Sequence, residues 1–335
     1  MLFFLPLLPL SYWAAFVAWG VASLLCLWAV CALTLRLVGA PAWAAFGLLG
    51  ALALVALPPI RENFVEGQLN VAVMAGVVAA WVAYRAGRPV PAGVCLGAAF
   101  ALKPIPGLFF LYFLWKREWR LLAAAAGALT FFNLAGLALA GPDGFWLYAT
   151  VNYPDHAAVW PAYPDNASLR GFFTRLFGPS SWRRPPYPIA GLSLALWALA
   201  GATLAGLAWL AARRASQAPH ARPPSGADFD LAMLCTLSLL VAPIIWPHYY
   251  VVLVPAIVII AAYLLPRAGR RDRWALAGCV AVAGATAVLA TAHYGEPYRG
   301  VGGQQLSALL VVYAVCLLAL WRRGGERSAV SGQPS

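Results

Sequence analysis

A chain of 335 residues that is 63% apolar and 10% charged, with a mean hydropathy of +0.77, is not a soluble globular domain of ordinary make-up. The net charge of +12 invites a nucleic-acid reading, but the arginines cluster in short loops between apolar runs, where they act as topology signals and not as a nucleic-acid face. Repeated apolar runs of roughly 17–25 residues predict an all-α, polytopic integral membrane protein, and the alternating segments of a membrane β-barrel are absent from the sequence.

Residues 1–10 carry no basic region and no small-residue cleavage site, so they do not read as a signal peptide. Pro6 and Pro9 make them a poor helix, and a hydrophobic loop at the membrane surface is expected. Nine full spans follow, at 13–35, 43–57, 69–84, 121–140, 189–212, 231–246, 249–265, 274–292 and 306–320. Pro58 and Pro59 are expected to stop the second of them. Residues 141–187 read as a long aromatic loop, and 215–230 as a Pro/Ser/Gly linker. The spans form a single domain over residues 1–321, with 322–335 as a polar tail. The six cysteines, Cys26, Cys31, Cys95, Cys235, Cys279 and Cys316, all fall inside apolar runs without metal-ligand spacing, and read as small core residues.

Of the 23 lysines and arginines, 16 flank one set of span ends, six flank the other, and Lys103 lies within an apolar run. The excess places the first set in the cytoplasm, and with it Arg88 and Lys116. The run between them is interrupted by Lys103-Pro104-Ile105-Pro106, and each piece is too short to cross alone. A hairpin of two half-helices is the economical solution, tolerated where it packs in protein or lines a cavity. Four polar groups then face outward: residues 61–70, the 141–187 loop, Trp246–His248 and 293–303.

An ionisable residue at membrane depth is costly and points to a site. Lys103 reads either as a snorkelling lysine or as a point charge for a lipid phosphate. Gln68 and Asn70 stand at a helix start, where they either cap the first turn or hydrogen-bond sugar or phosphate. The stretch from Asn152 to Gly178 mixes aromatic rings with Asp155, Asn166, Ser168, Arg170 and Arg175. It suits a carbohydrate platform; an interfacial belt explains the aromatic content but not Asn166, Ser168, Arg170 and Arg175. His248, between Pro247 and Tyr249, reads as an interfacial hydrogen-bonder or as a site residue. No metal-ligand spacing, nucleotide-cradling glycine loop or serine–histidine elbow is found.

Several of these pieces, in this order, resemble the family 87 glycosyltransferases. They are Glu66-Gly67-Gln68-Leu69-Asn70, Leu102-Lys103-Pro104-Ile105-Pro106 with the basic 116–120, Asn166-Ala167-Ser168-Leu169-Arg170-Gly171 with Arg175, and 242–248. That family consists of GT-C-class membrane enzymes related to polyprenol-phosphate-mannose-dependent mannosyltransferases of actinobacteria. The resemblance implies a GT-C-like helical bundle and inverting transfer of a hexose, mannose above all. Donor and acceptor would be a polyprenyl-phosphate-linked sugar and a glycolipid or cell-envelope glycan, met at the extracytoplasmic face of the cell membrane. It implies no cofactor, no metal and no nucleic-acid partner. Glu66, Asp155 and His248 become candidates for catalysis, and Lys103, Gln68, Asn70, Asn166, Ser168, Arg170 and Arg175 for substrate binding.

Family members look as if they begin with one more helix and an outer loop holding a catalytic aspartate. Here no acidic residue precedes Glu62, so the chain is expected to be an N-terminally shortened, catalytically incomplete part of a longer protein. The readings from other classes are a lipid or sugar flippase or transporter, which also uses broken helices and midplane charges, and a non-catalytic membrane scaffold.

Overall fold

The computed structural model describes residues 2–41, 43–55, 57–178, 185–216, 226–264, 306 and 309–318. All its regular elements are helices, and no strand occurs among the described residues. The expected span at 274–292 and the tail 322–335 lie outside them.

Leu2–Leu7 form a short 3-10 helix instead of a loop, and Phe4 packs its ring against Trp19. The first long helix, α1 (Tyr12–Leu37), opens with Ser11 accepting from Ala14 N. After α2 (Ala44–Val55), Pro58 and Pro59 do not end the helical chain; they sit in the first turn of α3 (Leu57–Val65). A proline there gives up an N–H that has no intrahelical partner in any case. Gly67, at φ 61, turns the chain into α4 (Asn70–Arg85), which meets α3 at a bend of 112°.

The next two elements bring the site together. A short turn at 86–88, with Gly87 at φ 69, reverses the chain from α4 into α5 (Pro89–Leu102). The two helices are 16 and 14 residues long, so the end of α5 returns beside the start of α4. The predicted break follows at Lys103–Pro106, where Lys103 adopts extended backbone. The chain then runs back as α6 (Gly107–Trp115), stacking Phe109, Tyr112 and Phe113 around Trp81 of α4.

The α5 leg is pressed against α7 (Trp119–Leu147), backbone to backbone. A Cβ on Gly93 would collide with the Leu121 carbonyl oxygen, and one on Gly97 with that of Ala125. Spacing of four puts both glycines on one face, the small-residue pattern that lets membrane helices approach closely. Gly97→Val is therefore expected to lower stability by roughly 1–3 kcal/mol through overpacking, read as a lower melting temperature in detergent. An unchanged melting temperature would show that this seam bears no load.

Much of the expected loop, as far as Phe177, is helical. The α7 helix bends at Gly141 (φ 72), and helix continues through a π turn at Tyr148–Asn152 into α8 (Tyr153–Val159) and a 3-10 turn at Trp160–Ala162. A short connection leads to α9 (Leu169–Phe177), then α10 (Leu192–Ser216). The end of the expected linker is also helical, because α11 (Gly226–Val241) begins there and buries Asp228 completely. Asp228 is ion-paired to Arg85, and Tyr112 donates to Asp230 at 2.8 Å. These contacts tie α4, α6 and α11 together at the end opposite Asn70. Asp228→Ala removes the buried acid of this ion pair and is expected to cost about 2 kcal/mol; a thermal melt matching wild type would refute it.

A 3-10 segment, Pro247–Leu253, runs into α12 (Val254–Leu264), and the described chain closes with the helix Leu309–Leu318.

The expected nine full spans are not what the described residues contain. Three helices are long and apolar enough to cross a membrane: Tyr12–Leu37, Trp119–Ala162 and Leu192–Arg213; the bent pair of α3 and α4 makes a possible fourth. Pieces such as α5 are too short, because glycine and proline interrupt apolar stretches that look continuous in a hydropathy count. Phe131, Leu134 and Leu139 of α7 and Leu194, Leu199 and Leu207 of α10 are exposed, as suits helices facing hydrocarbon.

Candidate functional site

The site is built at the Asn70 end of α4, where α3, the α5–α6 break and the 3-10 segment after Trp246 meet. Lys103 is its centre. The Nζ donates to Gln68 Oε1 at 2.9 Å and to Asn70 Oδ1 at 2.8 Å, and stands 4.2 Å from the centroid of the Tyr249 ring. A lysine has three N–H donors, so two amide oxygens leave one in hand. Gln68 and Asn70 therefore do not cap α4, whose N-cap residue Leu69 makes no side-chain cap bond. They position the ammonium.

Asn63, part of the outward polar group at 61–70 but not among the expected binding residues, completes this frame. It is fully buried; its Nδ2 donates to the carbonyls of Pro59 at 2.8 Å and His248 at 2.6 Å, and its Oδ1 accepts from Asn70 Nδ2 at 3.0 Å. Asn70 Nδ2 also reaches the His248 carbonyl, at 3.3 Å. Two amides from α3 and α4 thus fix the backbone of a residue 178 or more positions away. Such satisfied buried networks specify one arrangement.

The His248 ring is held on every side. It lies parallel to Trp246 at 6.5 Å and to Tyr249 at 5.0 Å between centroids. The Nδ1 is 3.2 Å from Glu66 Oε2 and 3.8 Å from Glu62 Oε2. His248 stands on the connector ahead of the apolar run that begins at Tyr249; there burial first, then the nearby Lys103 charge, push its imidazole down to about 4. At neutral pH it is uncharged. Glu66 is the carboxylate nearest Nδ1, an ion-pair contact and not a hydrogen bond, and in the tautomer that carries Nδ1–H the basic nitrogen is Nε2. Glu62 and Glu66, four apart, fall in one outward polar group in the sequence, where only Glu66 is a catalytic candidate.

Ligand atoms of Glu62, Glu66 and His248 lie within 4.8 Å of one another, a spacing that suits a divalent cation. Folding, not sequence spacing, brings the three together, Glu62 and Glu66 from one segment and His248 from another. The Lys103 ammonium, close enough to act on both Glu66 and His248, opposes a second positive charge at the same place.

The remaining candidates fall elsewhere. Asn166 is fully buried, and all its polar contacts are to backbone: it donates to Pro161 O and Pro243 O, and accepts from Ser168 N and Ile245 N at 3.1 and 2.9 Å. No capacity is left for a sugar. A Cβ on Gly171 would meet this amide, which explains the glycine. Ser168 caps α9 by accepting from Gly171 N at 3.0 Å, and donates to Pro243 O. Arg170 lies over the Trp197 ring. Arg175 Nη1 donates to the carbonyls of Tyr163 and Asn166 at 3.0 and 2.9 Å. Burial lowers this guanidinium to about 10 against the opposing pull of Asp165, whose carboxyl is itself raised by burial. Asp155 is exposed on α8, and no contact among the described residues joins it to Glu66 or His248. The two clusters touch through rings: Tyr163 and Trp160 pack on Trp246 at 4.9 and 5.3 Å, and Trp246 packs on His248.

The family model "Glycosyltransferase family 87" matches residues 1–243. Among curated proteins the chain is similar to the polyprenol-phosphate-mannose-dependent alpha-(1-2)-phosphatidylinositol mannoside mannosyltransferase of Mycolicibacterium smegmatis, at 35% identity over 66% of this chain and 47% of the relative. The Mycobacterium tuberculosis protein of the same name is 32% identical over 68% and 50%. A pentamannoside mannosyltransferase of M. tuberculosis is 29% identical over 76% and 55%. The chain thus spans about half the length of the curated relatives it matches. No solved structure matches it significantly.

Proposed function

The chain belongs to glycosyltransferase family 87, and from that premise we propose that it transfers a hexose, mannose by analogy with its relatives, from a polyprenyl-phosphate-linked donor to a glycolipid acceptor at the extracytoplasmic face of the membrane. The transfer inverts the anomeric carbon and uses no metal. The observation that carries this is the juxtaposition of Lys103, held by Gln68 and Asn70, with the Glu66–His248 pair.

The pair and the lysine divide the reaction. His248 Nε2 takes the proton of the acceptor hydroxyl, while Glu66 orients Nδ1–H and steadies the imidazolium that forms. The acceptor oxygen attacks the anomeric carbon; a new C–O bond forms as the bond to the phosphate oxygen breaks. The departing electron pair stays on the lipid phosphate, whose charge the free N–H of Lys103 receives. Tyr249 and Trp246 spend their rings on holding Lys103 and His248 in place.

The test is to incubate the purified chain in lipid vesicles with polyprenyl-phosphate-[14C]mannose and phosphatidylinositol mannoside. Label recovered in the acceptor lipid is the expected result. Label that crosses the vesicle membrane without changing its carrier would overturn the reading and favour a transporter, which the α5–α6 break also suits.

A further inference from the structure

Arg175, on the last turn of α9, has a second edge that the protein does not use. Its Nη1 is spent on the Tyr163 and Asn166 carbonyls. Its Nε and Nη2 are buried and have no hydrogen-bond partner among the described residues. A buried donor left unpaired costs as much as a lost hydrogen bond, and more when it carries charge. Nε–H and Nη2–H point the same way from one planar group, a fork that matches two oxygens of a single oxyanion. The nearby acid, Asp165, acts on the guanidinium through space but makes no ion pair with it among the described contacts.

The position of this edge selects the ligand. Arg175 holds the Tyr163 carbonyl, the Tyr163 ring packs tilted against Trp246, and Trp246 stacks on His248. The fork therefore belongs to the same region as the Glu66–His248 pair, with aromatic rings between. Lys103 lies on the other side of His248, against Tyr249. A reaction between two lipids brings two phosphates to this region, and Lys103 is matched to one of them.

We propose that the Nε/Nη2 edge of Arg175 is a second anion subsite that grips two oxygens of a lipid phosphate. This rests on the glycosyl-transfer reading for the presence of such lipids, but binding does not require transfer. Two sources offer the chemistry, the donor's phosphate and the acceptor's phosphodiester.

The experiment measures equilibrium binding of a short-chain polyprenyl phosphate and, separately, of phosphatidylinositol, by tryptophan fluorescence in detergent. Wild type is compared with Arg175→Lys, Arg175→Met, Lys103→Met and Asp165→Asn. Arg175→Lys keeps the charge and a donor for the two carbonyls while removing the fork, so it is the variant that folds. It is expected to bind one lipid roughly tenfold more weakly, leaving the other within about twofold. Loss of phosphatidylinositol binding assigns the subsite to the acceptor; loss of polyprenyl phosphate binding assigns it to the donor, beside Lys103. Asp165→Asn is expected to leave both affinities unchanged. If Arg175→Lys binds both lipids like wild type, the inference is overturned. The same holds if Asp165→Asn lowers the melting temperature as far as Arg175→Met does, for then the arginine is a structural partner of that acid. A chain that binds through Arg175 yet transfers no sugar would keep this inference and sink the proposed reaction.

Discussion

Lys103→Met is expected to weaken binding of the polyprenyl-phosphate donor by about 30- to 1000-fold, the cost of deleting one charged partner from a desolvated pair. The side chains are similar in length, so the break between α5 and α6 keeps its filling while the ammonium is lost. Gln68 and Asn70 both lose their bonds to the lysine, but Asn70 keeps its bonds to Asn63 and the His248 carbonyl through Nδ2. The frame should therefore survive, and the variant should insert and melt close to wild type. Donor binding is the quantity to measure, with sugar-free polyprenyl phosphate so that turnover does not intrude. An affinity equal to wild type would remove Lys103 from the site.

His248→Gln is expected to lower kcat by roughly 100- to 10,000-fold with little change in KM, because a glutamine fills the slot but takes no proton. Glu66→Gln should cost less, since an amide oxygen still stands beside Nδ1. The pH profile gives an independent reading. Only the neutral imidazole is a base, and burial together with Lys103 holds its pKa at about 4. Activity should stay level as pH falls through the ordinary histidine range near 6.5 and drop only as pH approaches about 4. An acid limb near 6.5, or full kcat in the glutamine variant, would refute the assignment.

Much of this site was legible because two local signals have one physical meaning each. Lys-Pro-Ile-Pro cannot continue a helix, so the break at Lys103 followed from the prolines alone. The turn near Gly87 and two helices of nearly equal length then made the meeting of Lys103 with Asn70 a matter of geometry. The number of spans was less legible. Hydropathy records how apolar a stretch is, and it does not register that α7 runs on past Gly141 or that α3 and α4 meet at a steep angle. Polar residues at the site were harder still. Asn63, Asn70 and Asn166 are the same residue type beside similar neighbours, yet one frames the lysine, one holds it, and one bonds only backbone. Which groups an amide meets is decided by segments far along the chain, and a single sequence carries no record of that. The spacing of four between Glu62 and Glu66 was available, and became meaningful once the prolines were placed at a helix start.

The seam between Gly93, Gly97 and α7 bears on how the molecule deforms. Where main chain lies directly on main chain, there is no side chain that can change rotamer to absorb a displacement. The α5 and α7 helices are consequently a single stiff beam, and any flexing that the proposed two-lipid reaction needs is displaced to the joints at its ends. One joint is the extended Lys103 backbone and the other is Gly141. Hydrogen exchange along the beam should be slow and uniform, with rapid exchange confined to those two joints. Lys103, to which the proposed reaction assigns the leaving phosphate, would then sit at the pivot, where the lever moves least.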